Sequence, residues 1–215
     1  MSDITLRQNV LDELEFEPSL DAANIGVAVE DGVVTLTGHV GSYAEKVAAE
    51  HVVQRVRGVR AVAQEIEVRY AADKKTADDQ IAKRALDIIA WDTTVPEDKV
   101  MVKVENGWIT LTGEVAWQFQ RTAAEHAVRR LTGVVGVTNL MTVRPHVDAA
   151  GVKHRIEDAL KRNAELEAGA IRVNVVGGKV TLEGNVRAWH ERAVAERAAW
   201  AAPGVNAVED HLTVV

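Results

Sequence analysis

One short phrase recurs three times in this chain of 215 residues, and the repeat constrains the fold more than any other feature. The copies occupy residues 34–38, 109–113 and 180–184 and read VTLTG, ITLTG and VTLEG. Each copy has a glycine six positions before its final glycine, and a Gly-Val pair begins twenty positions after that final glycine. A valine follows ten positions later in every copy. Landmarks at identical offsets predict three equivalent structural units.

The predicted units cover residues 1–72, 73–148 and 149–215. Short polar linkers at 71–78 and 146–150 separate them. A unit of roughly 70 residues has only a marginal core by itself, so packing between units is expected to add stability.

Each unit has the hydrophobic pattern of a helix, two strands, a second helix and a third strand. Apolar residues recur every fourth position in the first helix, which predicts a stripe facing a core: Leu6, Val10 and Leu14; Ile81, Ala85 and Ile89; Val152, Ile156 and Leu160. For the second helix the predicted buried rows are Ala48, Val52 and Val56; Ala123, Ala127 and Leu131; Val194, Ala198 and Ala202.

This order of elements predicts an α+β protein made of three tandem small domains. Each domain packs two helices on one face of a three-stranded mixed sheet, and a right-handed crossover makes the last strand parallel to the second. The other face of the sheet stays open. Nine recurring glycines are interpreted as backbone-shaping residues at turns and helix ends: Gly32, Gly38, Gly58, Gly107, Gly113, Gly133, Gly178, Gly184 and Gly204.

Composition and charge narrow the possible functions. The chain has no cysteine, which excludes disulfides and thiolate sites. A net charge of −7 argues against a nucleic-acid partner, and the first unit is the acidic one, with 6 Lys+Arg against 12 Asp+Glu. The N-terminal residues lack the pattern of a signal peptide, and no apolar run is long enough for a membrane span. A cytoplasmic location is therefore expected.

The sequence offers no catalytic motif, so a non-enzymatic protein is predicted. Nucleophile elbows, phosphate-binding glycine loops and paired metal-binding histidines are missing from the sequence. Among seven histidines, only His51 and His126 occupy matching repeat positions, and the third unit has Arg197 there. A position that accepts His or Arg in a charged helix is interpreted as a solvated face.

Differences between the units indicate where a binding surface lies. Positions on the open sheet face are Met101, Trp108 and Leu140 in the middle unit. The equivalent residues are Gly26, Val33 and Glu65 in the first unit and Arg172, Lys179 and His211 in the third, so only the middle unit makes this face apolar. We predict that these three residues form a contact face. It could pack against the neighbouring units or a second copy, or it could bind a lipid surface, a client protein or a ligand. The predicted exposed aromatic residues are Trp91, Trp117, Phe119 and Trp189.

The repeated elements resemble the BON domain family over nearly the whole chain. The resemblance rests on the hairpin glycine, the Val-Thr-Leu-Thr-Gly phrase, Gly-Val before the last strand and an Ala-Glu pair in the second helix, at 49–50, 124–125 and 195–196. The family's glycines are structural. The resemblance implies a role in bacterial osmotic or envelope stress, with attachment to phospholipid surfaces proposed for the family and potassium binding known in one cytoplasmic branch.

Together these observations predict a non-catalytic binding or scaffolding protein of the bacterial stress response. It is expected to act through a protein partner or through self-association. Two alternatives stay open: a peripheral phospholipid-binding protein and a potassium-binding protein. No cofactor is expected other than the potassium ion that the resemblance allows.

Overall fold

A computed structural model of the chain describes residues 2–70, 76–144, 151–163 and 168–215. It contains three domains with the same order of elements, and each domain has its own cluster of buried apolar side chains. The predicted α+β architecture of three tandem small domains is confirmed. Residues 71–75 of the first predicted linker and all of the second, 146–150, lie outside the described residues.

The elements follow one another in the predicted order. The first domain contains α1 (Asp3–Phe16), β1 (Ile25–Glu30), β2 (Val33–Val40), α2 (Tyr43–Arg55) and β3 (Ala61–Val68). The middle domain contains α3 (Asp78–Trp91), β4 (Val100–Glu105), β5 (Trp108–Val115), α4 (Gln118–Val128), β6 (Gly136–Asn139) and β7 (Thr142–Val143). The third domain contains α5 (Val152–Arg162), β8 (Ile171–Val176), β9 (Lys179–Val186), α6 (Trp189–Trp200) and β10 (Ala207–Val214).

The second strand of each domain is the middle strand of its sheet. In the first domain β2 pairs antiparallel with β1 and parallel with β3. The third domain repeats this arrangement with β9 between β8 and β10. In the middle domain the last strand is interrupted, and its two parts, β6 and β7, both pair parallel with β5. Alternation along the central strand then places every second side chain in the core and the others on the outer face.

The final glycine of the repeated phrase is required by close backbone contact. Gly38, Gly113 and Gly184 all adopt positive φ, and a Cβ atom there would collide with the carbonyl of Asn24, Lys99 or Ala170. A side chain at any of these three glycines would meet both conformational strain and a steric clash. The other six recurring glycines also have positive φ.

The first helices bury the predicted stripe, but the second helices are rotated from the predicted row. Leu6, Val10 and Leu14 are all buried, as are their counterparts in α3 and α5. In α2, α4 and α6 the alanine of the repeated Ala-Glu pair is fully buried, at Ala49, Ala124 and Ala195. Of the predicted row, Val52, Val194 and Ala202 are buried, whereas Ala48 and Ala123 are only half-buried. The predicted row was therefore partly wrong. An alanine-rich helix has small residues on several faces, so its pattern identifies the buried face poorly.

The first domain contacts both of the others. The Tyr70 hydroxyl donates a hydrogen bond of 2.7 Å to the carbonyl oxygen of Val134, and Tyr43 packs against the core of the middle domain. Helix α2 packs against α6, and a cleft between these domains is lined by Arg60 and Arg192, among other residues. Helix α2 thus contributes to the contacts of the first domain with both of the others.

Candidate binding surfaces of the middle domain

The outer sheet face of the middle domain exposes a row of large apolar side chains. Met101 is 66% exposed, Trp108 48% and Leu140 58%. Met101 lies beside Thr112 of the central strand, and the backbone N–H of Leu140 donates to the carbonyl oxygen of Leu111 at 2.8 Å. The predicted contact face, Met101, Trp108 and Leu140, is thus on one side of one sheet. The exposure of all three shows that the neighbouring domains do not cover it.

Trp108 lies flat across this face and is held there by two interactions. Its ring covers Gly136, the directly paired residue of the next strand, and a Cβ atom at Gly136 would collide with the ring. Its indole N–H donates a 2.8 Å hydrogen bond to the Thr138 hydroxyl. A fixed aromatic ring has little side-chain entropy left to lose, so it is suited to binding a partner.

The equivalent faces of the other two domains have a different chemistry. Where the middle domain has Trp108, the first has Val33 and the third has Lys179, which forms a 2.6 Å ion pair with Glu209. Where the middle domain has Leu140, the others have Glu65 and His211, both exposed. The three sheets therefore share a fold, but only that of the middle domain exposes three large apolar side chains on its outer face.

The four aromatic residues predicted to be exposed divide into two pairs. Trp91, at the end of α3, is 86% exposed and Phe119 is 56% exposed. Trp117 and Trp189 are half-buried instead. The Arg192 guanidinium lies 4.9 Å from the centre of the Trp189 ring, in the geometry of a cation–π contact. Trp189 thus contributes to a packed contact rather than to a free surface.

A groove between α4 and α6 is the second candidate surface. It has a volume of about 780 Å³ and lies between the middle and third domains. Three aromatic side chains line it: Trp117 and Phe119 at the start of α4, and Trp200 at the end of α6. His126 and Arg197 also line it. Their positions are equivalent in the repeat, so the two helices face one another across the groove with the same part of their sequence.

The surroundings of two histidines in the second helices, His51 and His126, favour the neutral form of the imidazole ring. Partial loss of hydration, followed by the charge of Arg129, lowers the pKa of both His51 and His126. The two histidines also lie near one another, since His51 contributes to the lowered pKa of His126. Both are exposed, in keeping with the predicted solvated face, but His126 shares the groove with Arg197.

Glu196 has a different role from the other charged residues of the groove. Burial, and then the carboxylate of Asp210, raise its pKa, and the two side chains share a hydrogen bond. Asp210 in turn accepts a 2.7 Å hydrogen bond from Arg192. Glu196 is therefore engaged by its own domain, whereas Arg197 lines the groove with a permanent positive charge.

Neither a metal cluster nor a membrane span is found in the described ranges. No three His, Asp or Glu side chains of those residues come together as metal ligands. None of the helices there is long and apolar enough to cross a bilayer. Potassium, which prefers backbone and other oxygen ligands, remains an expectation from the resemblance.

The sequence-based prediction missed Gly136, Trp200 and the groove. Gly136 replaces the Ala61 and Ala207 of the other domains, and that loss of a side chain opposite a tryptophan was an available signal. The repeat predicts Trp200 on the flank of α6, but its proximity to Trp117 and Phe119 depends on how two domains pack. The repeat pattern contains no information about that packing.

Comparisons with known proteins agree with the repeat. A sequence model described as "BON domain" matches residues 2–70, 77–145 and 148–215. The osmotically inducible protein Y of Escherichia coli K12 is 31% identical over 148 residues, which cover 65% of this chain and 71% of that protein.

Two solved structures of CdsD, described as a structural protein of the type III secretion system of Chlamydia trachomatis, also align with the chain. One is 15% identical, with 98% of this chain and 92% of that chain covered and a TM-score of 0.27. The other, its C-terminal domain, is 12% identical, with both chains fully covered and a TM-score of 0.26. Similarity at this level supports no conclusion about function.

The family match spans nearly all of the chain, and its three ranges coincide with the three domains that the sheets and cores define. The landmarks of the repeat are the structural elements of that match: hairpin turns, close-packed glycines and the buried alanine of each second helix. The chain belongs to the BON domain family and carries three BON domains in tandem.

Proposed function

We propose that this protein is a non-catalytic binding protein of the bacterial osmotic stress response that acts through protein contacts, and that the outer sheet face of the middle domain is the contact surface. The name of the 31% identical relative supports the connection with osmotic stress. The observation that carries the proposal is the exposure of Met101, Trp108 and Leu140 on one face. An apolar patch of this kind usually marks an interaction site.

A second copy of the chain is the partner that this face fits best. Charges of both signs border the apolar residues: Lys103 lies 3.0 Å from Glu105, and Arg144 lies 2.6 Å from Glu114. In a two-fold contact the same surface meets itself, so a border with both signs can be complementary to its own copy. Three large side chains bury a small area, so the proposed dimer is weak and reversible.

Mass in solution tests this proposal. The native chain of 23.4 kDa is expected to gain average mass as its concentration rises in sedimentation equilibrium. The double variant Trp108→Asp/Leu140→Asp is expected to stay at the monomer mass, because two charges cannot be buried without a partner. Trp91→Asp is the matched control, since Trp91 is also exposed but belongs to another element. A native chain that stays monomeric, or a double variant that associates as the native chain does, contradicts the proposal.

Peripheral lipid binding is the second candidate, and a different observation favours it. Phe16 and Trp91 occupy equivalent positions at the ends of α1 and α3, and they are 84% and 86% exposed. Aromatic side chains in such positions insert readily into a membrane interface. The net charge of −7 opposes anionic membranes, so binding should be stronger on zwitterionic vesicles.

Co-sedimentation with phosphatidylcholine vesicles at low salt tests the second candidate. The native chain should sediment with the vesicles, and Phe16→Ser/Trp91→Ser should remain in the supernatant. The variant Trp108→Asp/Leu140→Asp serves as the control that separates the two surfaces. If the native chain stays wholly in the supernatant, lipid binding is excluded.

A further inference from the structure

The aromatic residues that distinguish one domain from another come together in a single groove. At the positions of Trp117 and Phe119 the first domain has Ser42 and Ala44, and the third has Ala188 and His190. The position of Trp200 is occupied by glutamine and arginine in the other two domains. Three independent departures from the repeat thus contribute side chains to the same space between α4 and α6.

Trp117 replaces a residue that would stabilise its helix better. In the first domain Ser42 caps α2, because its hydroxyl oxygen accepts a 3.2 Å hydrogen bond from the Glu45 backbone N–H. Trp117 occupies the same N-cap position of α4 and has no side-chain acceptor to do this. Gln120 compensates partly by accepting from the backbone N–H of Trp117 at 3.1 Å. A tryptophan at a helix cap is disfavoured locally, which points to a role outside the helix.

The size and lining of the groove are typical of a site for a small molecule. About 780 Å³ lies within the usual range of ligand pockets, roughly 300–1,000 Å³. Aromatic rings and the methyl groups of Ala123, Ala193 and Ala201 form most of the surface. At Gln118 the side-chain oxygen is buried and has no hydrogen-bond partner among the described residues. The part of the chain that the structure describes therefore leaves one polar group of the groove without a partner.

The charged residues around the groove indicate which kind of molecule it binds. Arg197 forms no ion pair with any described residue, whereas the Glu196 carboxyl is hydrogen-bonded to Asp210 of its own domain. His126 lines the other wall of the groove, and Arg129, Arg130 and Glu125 lie near it outside the lining. Arg129, Arg130 and Arg197 thus outnumber the carboxylates Glu125 and Glu196 around the groove, although the chain as a whole is negative. An acidic group is the complement of such an arginine.

We propose that the groove between α4 and α6 binds a small free amphipathic anion, a molecule with a flat apolar body and one acidic group. The body stacks among Trp117, Phe119 and Trp200, and the acidic group pairs with Arg197. The groove is recessed between two helices, so a single molecule fits it better than the flat surface of a bilayer. This site is separate from the outer sheet face and does not depend on the function proposed for that face.

Fluorescence titration with 1-anilinonaphthalene-8-sulfonate, an aromatic anion, tests the site on the full chain. The native chain should bind the probe saturably at one site. The substitutions Phe119→Ala and Trp200→Gln introduce the residues of the first domain, and together they should weaken binding by about tenfold or more because stacking area is lost. Thermal melting of each variant checks that the three domains remain folded.

Two further variants show whether the probe binds in this groove and whether its acidic group contacts Arg197. Arg197→Gln should weaken binding of the anionic probe but leave the uncharged N-phenyl-1-naphthylamine unaffected. Trp108→Val, which gives the outer sheet face the residue of the first domain, should change the binding of neither probe. Absence of saturable binding, or binding that is lost in Trp108→Val and kept in the groove variants, would overturn the proposal. If Arg197→Gln weakens the binding of both probes equally, Arg197 does not pair with the acidic group, and that part of the proposal is wrong.

Discussion

Comparison of equivalent positions in the three domains divides the residues of this protein into two classes. Residues that are the same in all three domains shape the backbone or fill the core, as Gly38 and Ala49 do. Residues that differ in chemical character, such as Trp108 and Phe119, lie on surfaces, whereas core positions exchange one apolar residue for another. Because the three domains share one fold, each residue can be compared with the residues at the equivalent positions of the other two domains. A substitution that copies a residue from another domain changes surface chemistry with little effect on folding.

Gly38 and Gly41 provide the sharpest test of a backbone-shaping residue. Gly38→Ala forces a Cβ atom against the carbonyl of Asn24 at a φ of 104°. The strained conformation alone costs about 1–3 kcal/mol. Gly41→Ala, three residues away, meets only the flexible side chain of Glu45 at 3.4 Å and should be nearly neutral. Urea unfolding of the two variants measures the difference, and equal midpoints would refute this role for Gly38.

Among the helices and strands, a carboxylate at the start of the first helix holds the hairpin turn. Asp78 accepts hydrogen bonds from the backbone N–H groups of Asn106 and Gly107, at 2.7 and 2.8 Å. In the first domain Asp3 makes the same two contacts with residues 31 and 32. These bonds join elements that are 28 or 29 residues apart in the chain. They complement the packing of helix on sheet with a specific polar contact.

Asp78→Ala should therefore destabilise the middle domain. Two charge-assisted hydrogen bonds are lost at a partly exposed site, for which we expect a decrease of about 1–3 kcal/mol in the free energy of unfolding. Asp79→Ala removes the neighbouring exposed carboxylate and is expected to have little effect. Thermal melting of the two variants provides the comparison. If both lose the same stability, the hairpin contact contributes nothing specific.

The elements also show what the sequence could predict. The strands and the first helices were predicted correctly because their apolar residues follow a clear period, as at Leu6, Val10 and Leu14. The second helices were predicted only in part. Val52, Val194 and Ala202 are buried as predicted, but the buried alanines of the Ala-Glu pairs were missed. Alanine occurs on several faces of these helices, and a neighbouring domain contacts α2. The outer face could be predicted by comparing copies. The groove could not, because it arises from the packing of two domains.

In the molecule as a whole, we expect histidines on the second helices to make the stability of the chain sensitive to acid. His51 and His126 have a lowered pKa in the folded chain, first through lost hydration and then through Arg129. Unfolded chains therefore bind these protons more readily, and the stability involved is present above about pH 6.5 and lost as the pH falls below it. The charged groups around them are Glu50, Arg55, Glu125, Arg129, Arg130 and Arg197.

Denaturant unfolding at pH 7.5 and at pH 5 tests this sensitivity. The native chain should lose stability at the lower pH, and the part due to these two histidines should be below about 1 kcal/mol because both are exposed to solvent. His51→Gln/His126→Gln should show a smaller loss between the two pH values. An unchanged pH dependence in the double variant would show that other groups are responsible.

If the three domains share a core and differ in what their surfaces bind, then exchanging one surface should change association and leave folding intact. The decisive experiment gives the middle domain the outer face of the third, with the substitutions Met101→Arg, Trp108→Lys and Leu140→His, and follows mass against concentration by analytical ultracentrifugation. We expect a chain that melts like the native protein and stays at 23.4 kDa while the native protein associates. A variant that unfolds, or one that associates as strongly as the native protein, would show that the outer face does not have this independent binding role.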